Sequence, residues 1–214
     1  MQKIFAANWK MYKTRAQAAQ SASDLAKGLG HMPAGQDVVV FAPFTSINCV
    51  ADAFKGVAAL SAGAQNCYPA EEGAFTGETS PAMLLDAGAS WVLTGHSERR
   101  HIMGEDDALV ARKTIFALEH GLKVLFCIGE TLDEREAGKL NAVLERQLAA
   151  VFSAMPESLR GAALVGKLAI GYEPVCAIGT GPVAGPEEVL AAPAVTRALL
   201  KKLVGETADK LPIL

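Results

Sequence analysis

The chain begins with an apolar run at residues 4–7 (IFAA) that leads directly into residues 8–13 (NWKMYK). The run is apolar at every position, which is typical of a short strand buried on both faces of a parallel sheet. An open doubly wound sheet usually carries G-x-G-x-x-G after its first strand, but residues 8–13 contain no glycine. Between the two parallel architectures, this junction therefore favours a (β/α)8 barrel over the open sheet.

The rest of the chain repeats the alternation of a short apolar run with a longer segment that carries helix signals. Capping boxes begin at Thr14 and Thr131, Ser80 precedes a proline as an N-cap, and Gly88 and Gly121 end helices. Such alternation is typical of a parallel sheet with helical crossovers. Six helices and seven strands are predicted, and the strand candidates are residues 4–7, 38–42, 58–62, 91–93, 124–127, 168–170 and a last run from residue 211. Because no linker or change of composition interrupts the pattern, residues 1–214 are predicted to form a single domain.

The composition indicates a globular chain without a strongly charged surface. Half of the 214 residues are apolar, and 20 Lys and Arg oppose 23 Asp and Glu, which excludes a disordered chain. The net charge of -3, with no Lys/Arg run, argues against a surface for nucleic acid or anionic membranes. No run approaches the roughly 20 apolar residues of a membrane span, and the start lacks a signal-peptide pattern. Four cysteines without CxxC spacing indicate reduced thiols, so a cytoplasmic location is expected.

In a barrel, functional residues lie in the loops that follow the carboxyl ends of the strands. Lys10 places a cation after the first strand, although a solvated surface lysine is the alternative. His96 follows the fourth strand at the start of a short helix, where the helix dipole disfavours imidazolium and leaves a neutral N–H donor. Glu173 ends the sixth strand, where partial desolvation raises the basicity of a carboxylate. The glycine-rich loop after it includes Gly179, whose backbone N–H is suited to face an anion.

The same loops argue against a metal site. His96 and His101 are five residues apart, which differs from the H-E-x-x-H spacing of zinc proteases. His96 and Glu98 match the start of a zinc deaminase signature, but no P-C-x-x-C follows them. We therefore expect no metal. A structural histidine at position 96 and a salt-bridged glutamate at position 173 stay open as alternatives to catalytic roles.

Several blocks of sequence closely resemble the triosephosphate isomerase family, and they occur in the family's order along the whole chain. The most specific are residues 95–100 (GHSERR) and 172–175 (YEPV) with 177–181 (AIGTG); the others are residues 8–11 (NWKM), 63–66 (GAQN) and 127–130 (CIGE). The resemblance implies a cofactor-free isomerase that interconverts dihydroxyacetone phosphate and glyceraldehyde 3-phosphate. It also implies a place in glycolysis and gluconeogenesis.

The resemblance assigns roles to individual residues. It implies that Glu173 abstracts the proton beside the substrate carbonyl, and that His96 polarises this carbonyl and shuttles protons between the two oxygens. Lys10 would stabilise the enediolate and the phosphate charge, while Asn8 would orient nearby groups. Glu98 resembles the residue that pairs with Lys10. These roles require one base, one electrophile and one cation in a site closed to water.

The resemblance also implies a homodimer, since the family is usually dimeric. Residues 65–79 resemble the loop that enters the neighbouring subunit, and a loop this long is unusual inside a compact domain. Thr76 would approach the first-strand loop of the partner subunit. Arg99 would face Glu78 across the interface.

Three features depart from the family. Cys176 stands at the lid hinge that usually carries Trp, and Pro182 stands at the far hinge that usually carries Lys. The chain ends at residue 214 inside its seventh strand, where the family continues with an eighth strand and the Gly-rich turns of the phosphate site. Lys10 and the backbone N–H of Gly179 would remain of that site. We therefore expect either a further segment that this sequence lacks, or a gap in the barrel that a partner or reorganised helices cover; a chain that ends at residue 214 is expected to bind phosphate weakly. The alternatives are an impaired barrel that acts as a scaffold or binding protein and, less favoured without G-x-G-x-x-G, a nucleotide-binding α/β module.

Overall fold

The computed structural model describes residues 3–29, 33–173 and 186–214 of the chain. Cys176, Gly179 and Pro182, which carry the predictions for the lid hinges and the phosphate site, lie outside these residues. The chain forms two compact units, of which the first contains Met1–Thr94 and Phe116–Val124 and the second contains Gly95–Ile115 and Leu125–Leu214. The single domain over residues 1–214 stays a prediction.

Four parallel strands build the sheet of the first unit, and they stand side by side in chain order. They are β1 (Lys3–Asn8), β2 (Gln36–Ala42), β3 (Leu60–Ala64) and β4 (Trp91–Thr94). β1 pairs with β2 along its whole length, and the register places Asn8 opposite Phe41. Because parallel strands run in one direction, their carboxyl ends lie at one edge of the sheet, and Asn8 stands at that edge.

Three α-helices connect the strands of the first unit. They are α1 (Arg15–Leu29), α2 (Ile47–Phe54) and α3 (Pro81–Asp86). α3 begins as predicted, because Ser80 Oγ accepts the Met83 N–H at 3.3 Å and proline occupies the first helical position. The core of this unit joins Ala22 of α1 and Phe54 of α2 to the buried valines of β2.

Two of the later connections contain more helices than the sequence predicts. The elements that follow β4 are α4 (Ser97–His101), α5 (Asp107–Glu119), β5 (Lys123–Ile128), α6 (Leu132–Glu136), α7 (Leu140–Ala154), β6 (Leu168–Tyr172) and α8 (Pro186–Val204). The described residues therefore contain eight α-helices instead of six, since two helices lie between β4 and β5 and two between β5 and β6. The capping box predicted at Thr131 is present, with Glu134 as its reciprocal partner, and it starts α6.

The last apolar run pairs with β6 in parallel, as a single bridge rather than a full strand. Ile170 N–H donates to Pro212 O and Leu214 N–H donates to Ile170 O, both at 2.9 Å. Arg197 of α8 donates to Leu211 O at 2.7 Å and thereby holds the turn that precedes this run. Within the second unit, β6 thus lies between β5 and the predicted seventh strand.

Short strands followed by helices recur from β1 to α8. This alternation confirms the predicted α/β class. β1 is not buried on both faces as predicted, since it is the first strand of the sheet, pairs only with β2 among the described strands, and leaves Phe5 51% exposed. Among the helices of the described residues, none combines the length and the apolar character that crossing a membrane requires.

Candidate active site

The predicted catalytic residues fall into two groups, one in each unit, and each group follows the carboxyl end of a strand. Asn8 is the last residue of β1, with Lys10 two positions later, and both belong to the first unit. His96 follows β4 and Glu173 follows β6, and both belong to the second unit with Glu98. Strand ends place polar side chains beside buried apolar runs, which suits a site with few but well-oriented polar groups.

In the second unit, Glu173 is in direct contact with His96. Glu173 Oε1 lies 2.9 Å from His96 Nε2, and Glu173 Oε2 accepts the backbone N–H of Ser97 at 2.9 Å. The His96 side chain is 7% exposed and that of Glu173 is 20% exposed, so the pair is largely removed from water. The carboxylate is therefore held by two donors at the first turn of α4.

The hydrogen bonds of His96 select one tautomer. His96 is the N-cap of α4, and its Nδ1 accepts the Glu98 N–H at 3.3 Å. An accepting Nδ1 carries no proton, so the proton of a neutral ring is on Nε2, the atom that faces Glu173. Glu98 Oε2 lies 3.7 Å from the same Nδ1. The geometry thus supports the neutral N–H donor that the sequence predicts.

We expect ¹⁵N NMR to show that the neutral ring of His96 carries its proton on Nε2. The physical reason is that Nδ1 already accepts the backbone N–H of Glu98 at the start of α4. His101, at the other end of the same helix, serves as the internal reference. A neutral ring protonated at Nδ1 would contradict the assignment.

In the first unit, Gln65 holds the backbone around Lys10. Gln65 Nε2 donates to Lys10 O at 2.8 Å, to Phe41 O at 3.0 Å and to Asn8 Oδ1 at 3.2 Å. Asn8 Oδ1 also accepts the Lys10 N–H at 2.9 Å. Lys10 has φ of 50°, a left-handed conformation that costs a non-glycine residue roughly 1 kcal/mol or more. The two amide side chains therefore stabilise a strained lysine, and Gln65 is a residue to which the sequence analysis assigns no role.

Cys127 is a second residue of the site without a predicted role. It lies at the end of β5, is buried, and its thiol hydrogen-bonds to Glu173. Burial, and then the negative charge of Glu173, raise the pKa of the Cys127 thiol well above its usual range. The thiol therefore stays protonated and donates to the carboxylate.

We expect iodoacetamide at pH 8.5 to alkylate half-buried Cys49 before Cys127, because the thiolate is the reactive form of a cysteine. Peptide mass spectrometry measures the order of alkylation. Equal alkylation of the two thiols would contradict the prediction.

The raised pKa of Cys127 also makes the stability of the fold depend on pH. The unfolded chain loses the Cys127 proton near pH 8.5, whereas the native protein keeps it. The free energy of unfolding should therefore fall as the pH rises from about 8.5 to 9.5, and Cys127→Ser should flatten this slope.

A buried carboxylate anchors the residue before Glu173. Glu130 accepts the Tyr172 hydroxyl at 2.9 Å and Arg135 Nη1 at 3.0 Å. Burial, and then this hydrogen bond to Glu130, raise the pKa of the Tyr172 hydroxyl well above its usual range. The end of β6 is therefore fixed by a charge-assisted network immediately before the Glu173 carboxylate.

The residues predicted at a dimer interface belong to different units of the chain. Thr76 and Glu78 are exposed in the loop between β3 and α3, where Glu78 N–H donates to Phe75 O at 3.0 Å. Arg99 belongs to the second unit, and its Nε donates to Glu105 Oε1 at 2.5 Å. The contact of Arg99 with Glu78 of a partner subunit stays a prediction.

Comparison with known proteins identifies the family. The sequence profile described as triosephosphate isomerase matches residues 3–214. The triosephosphate isomerase of Oleidesulfovibrio alaskensis is 52% identical over 214 residues, which cover all of this chain and 84% of that relative. The same enzyme of Nitratidesulfovibrio vulgaris (strain Miyazaki F) is 51% identical over 215 residues with the same coverage, and that of Lawsonia intracellularis is 44% identical over 218 residues, covering 82% of the relative. These matches confirm the predicted family and the (β/α)8 class of the fold. The chain belongs to the triosephosphate isomerase family.

Proposed function

We propose that this protein interconverts dihydroxyacetone phosphate and glyceraldehyde 3-phosphate, as an isomerase of glycolysis and gluconeogenesis. The observation that carries the proposal is the contact between the Glu173 carboxylate and the Nε2–H of a neutral His96, in a chain of the triosephosphate isomerase family. A base and an electrophile at hydrogen-bond distance are what proton transfer beside a carbonyl requires.

In the proposed reaction, Glu173 first removes the proton from the substrate carbon beside the carbonyl. His96 Nε2–H donates to the carbonyl oxygen, so that the electrons of the broken C–H bond are accommodated as an enediolate. His96 then transfers protons between the two oxygens, and Glu173 returns its proton to the neighbouring carbon. No atom or electron is gained or lost, so the proposed reaction needs no cofactor.

The contacts of Glu173 indicate how substrate binding would change the basicity of its carboxylate. Two N–H donors, from His96 and Ser97, stabilise the charged carboxylate. Turning His96 Nε2–H toward a substrate oxygen removes one donor from Glu173. A carboxylate that loses a donor becomes a stronger base, so substrate binding and activation of the base are coupled in this scheme.

The remaining roles concern charge and phosphate. We propose that Lys10 stabilises the enediolate and the phosphate group, with Asn8 and Gln65 fixing its backbone. Glu98 is proposed to pair with Lys10, and the Gly179 N–H to bind the phosphate. Each rests on the family motifs that these residues match.

We further propose a homodimer with Thr76, Glu78 and Arg99 at its interface. In support, the first unit exposes large apolar side chains in the loop after β1, where Met11 is 93% exposed. In the second unit, Ile102 and Met103 are exposed after α4. Exposed apolar groups of this size are typical of protein interfaces. Sedimentation analysis should give twice the chain mass of 22.4 kDa, and a 22.4 kDa species at all concentrations would refute the dimer.

The test of the activity is a coupled assay with purified protein, in both directions, beside a Glu173→Gln variant that lacks the base. Turnover that this variant abolishes would support the isomerase. Since the chain covers 84% of its Oleidesulfovibrio alaskensis relative, the assay is repeated with a peptide carrying the segment of that relative that this chain does not match. Binding of a phosphorylated enediolate analogue without turnover, with and without the peptide, would instead indicate a scaffold or binding protein.

A further inference from the structure

We propose that Gln147, a buried side chain of α7, is a positioning residue that places the Glu173 carboxylate by holding the peptide of Gly129. The inference rests on the proposed isomerase function and adds to it a residue remote from the family motifs quoted above. Gln147 acts through the backbone and needs no contact with substrate.

Gln147 makes two hydrogen bonds to the backbone of Gly129. Gln147 Oε1 accepts the Gly129 N–H at 2.9 Å, and Gln147 Nε2 donates to Gly129 O at 3.0 Å. Gln147 is 2% exposed, although it lies on a helix face whose other buried members include Leu144 and Leu148. A buried amide is costly unless it is hydrogen-bonded, and here both ends of the amide are used for one residue. The side chain thus fixes Gly129 in two directions.

The backbone of Gly129 packs closely against the backbone of Glu173. A Cβ atom at Gly129 would lie 2.0 Å from Glu173 O and 3.0 Å from Glu173 C. Such a separation excludes any side chain, so the backbones of the two residues are in direct van der Waals contact. On the other side of Glu173, its N–H donates to Ile128 O at 2.8 Å. Residues 128 and 129 therefore contact both peptide groups of Glu173, and a displacement of Gly129 is passed to Glu173.

The proposed reaction tolerates little displacement of the Glu173 carboxylate. The Glu173 carboxylate meets His96 Nε2 and Ser97 N–H at 2.9 Å each, and these distances depend on where its backbone starts. A misplacement of about 1 Å from a remote substitution can cost on the order of 100-fold in rate. Because substrate binding depends on other groups, a loss of positioning should reduce kcat while KM changes little.

The test replaces Gln147 by Met, which conserves length and shape but removes both hydrogen bonds to Gly129. We expect Gln147→Met to lower kcat by about tenfold to a hundredfold with KM within about twofold of the wild type. Leu144→Met is the matched control for a methionine on the same buried face. Leu148→Ala is the control for lost stability, since it creates a cavity on the same helix, and it should retain kcat. Unchanged kcat in Gln147→Met, or an equal loss in Leu148→Ala, would overturn the proposal.

Gln147→Glu supplies a conservative rescue that stays informative if the Met variant fails to fold. The unprotonated carboxylate accepts the Gly129 N–H but repels Gly129 O, whereas the protonated carboxyl also donates to Gly129 O as the amide does. Relative to the wild type, kcat of Gln147→Glu should therefore rise from pH 8.5 to pH 6. A ratio that is independent of pH would contradict the positioning role.

A measurement without substrate separates this inference from the proposed function. The Ser97 amide donates to Glu173 Oε2, so its NMR chemical shift and hydrogen exchange report the carboxylate position. We expect both to change in Gln147→Met and not in Leu144→Met. If the wild type lacks isomerase activity but the Ser97 amide responds in this way, the function fails and the positioning role stands. An unchanged Ser97 amide would refute the positioning role whether or not the protein is active.

Discussion

Glu173→Asp should lower kcat by about 100-fold and leave KM nearly unchanged. The substitution withdraws the carboxylate by one methylene, roughly 1 Å, from an environment in which His96 Nε2 and Ser97 N–H each lie 2.9 Å from its oxygens. The backbone cannot follow the shortened side chain, because Gly129 and Ile128 contact the peptide groups on either side of residue 173. Steady-state kinetics in a coupled assay measures the loss.

The matched control for this prediction is Glu145→Asp, the same chemical change at an exposed position of α7. It should leave kcat unchanged. If Glu173→Asp folds normally and turns over substrate like the wild type, Glu173 is not the catalytic base.

Lys113→Met should lower the free energy of unfolding by about 3–5 kcal/mol, the largest loss of stability that we expect from one substitution. Lys113 Nζ and Arg99 Nε both lie 2.5 Å from Glu105 Oε1, and the side chains of Lys113 and Glu105 are 3% and 4% exposed. Glu105 Oε2 is buried, and within residues 3–29, 33–173 and 186–214 it has no hydrogen-bond partner. Removing the lysine leaves a buried carboxylate with one cation fewer, which costs more than the ion pair itself contributes.

Urea unfolding of the variant, followed by circular dichroism, measures this loss. Lys55→Met is the exposed control, since Lys55 pairs with Asp52 at 2.6 Å in contact with water and should contribute about 1 kcal/mol or less. The double variant Glu105→Met with Lys113→Met should recover much of the loss, because both charges leave together. A cost at Lys113 no larger than at Lys55 would show that the buried cluster does not stabilise the fold.

The alternation of strands and helices could be predicted because its signals are local. The apolar runs, the capping box at Thr131 and the N-cap at Ser80 lie within a few residues of the elements that they define, and all appear in the structure. The predicted number of helices was too low, because the short helices capped by His96 and Thr131, α4 and α6, are each followed by a separate longer helix, α5 and α7. Elements this short have too few residues for a periodic pattern.

The meeting of His96 and Glu173 could also be anticipated from the sequence. Both follow runs that read as parallel strands, and the carboxyl ends of such strands share one edge of a sheet. The family motifs then gave each residue a chemical role. The polarity of the strand ends, and not the spacing between them, was therefore the useful signal.

The burial of Gln147 and its contact with Gly129 could not be predicted from the sequence. In the sequence, Gln147 is a polar residue between apolar positions of a helix, a pattern that by itself indicates neither burial nor a partner. Gln65 and Cys127 lie in quoted motifs, yet their hydrogen bonds to Lys10 and Glu173 cross long stretches of chain. A contact between residues distant in sequence depends on how the elements pack, and no local pattern records it.

The fold class, the position of polar residues at strand ends and the predicted pairing of His96 with Glu173 thus follow from local patterns and family motifs in this chain. The tautomer of His96, the protonated thiol of Cys127 and the close approach of Gly129 to Glu173 follow from the folded structure alone. The physical reason is the distance along the chain over which each kind of interaction acts. Caps, periodicity and turn residues act over a few positions, whereas hydrogen-bond partners and desolvation depend on three-dimensional neighbours, which the chain acquires when its strands and helices pack together.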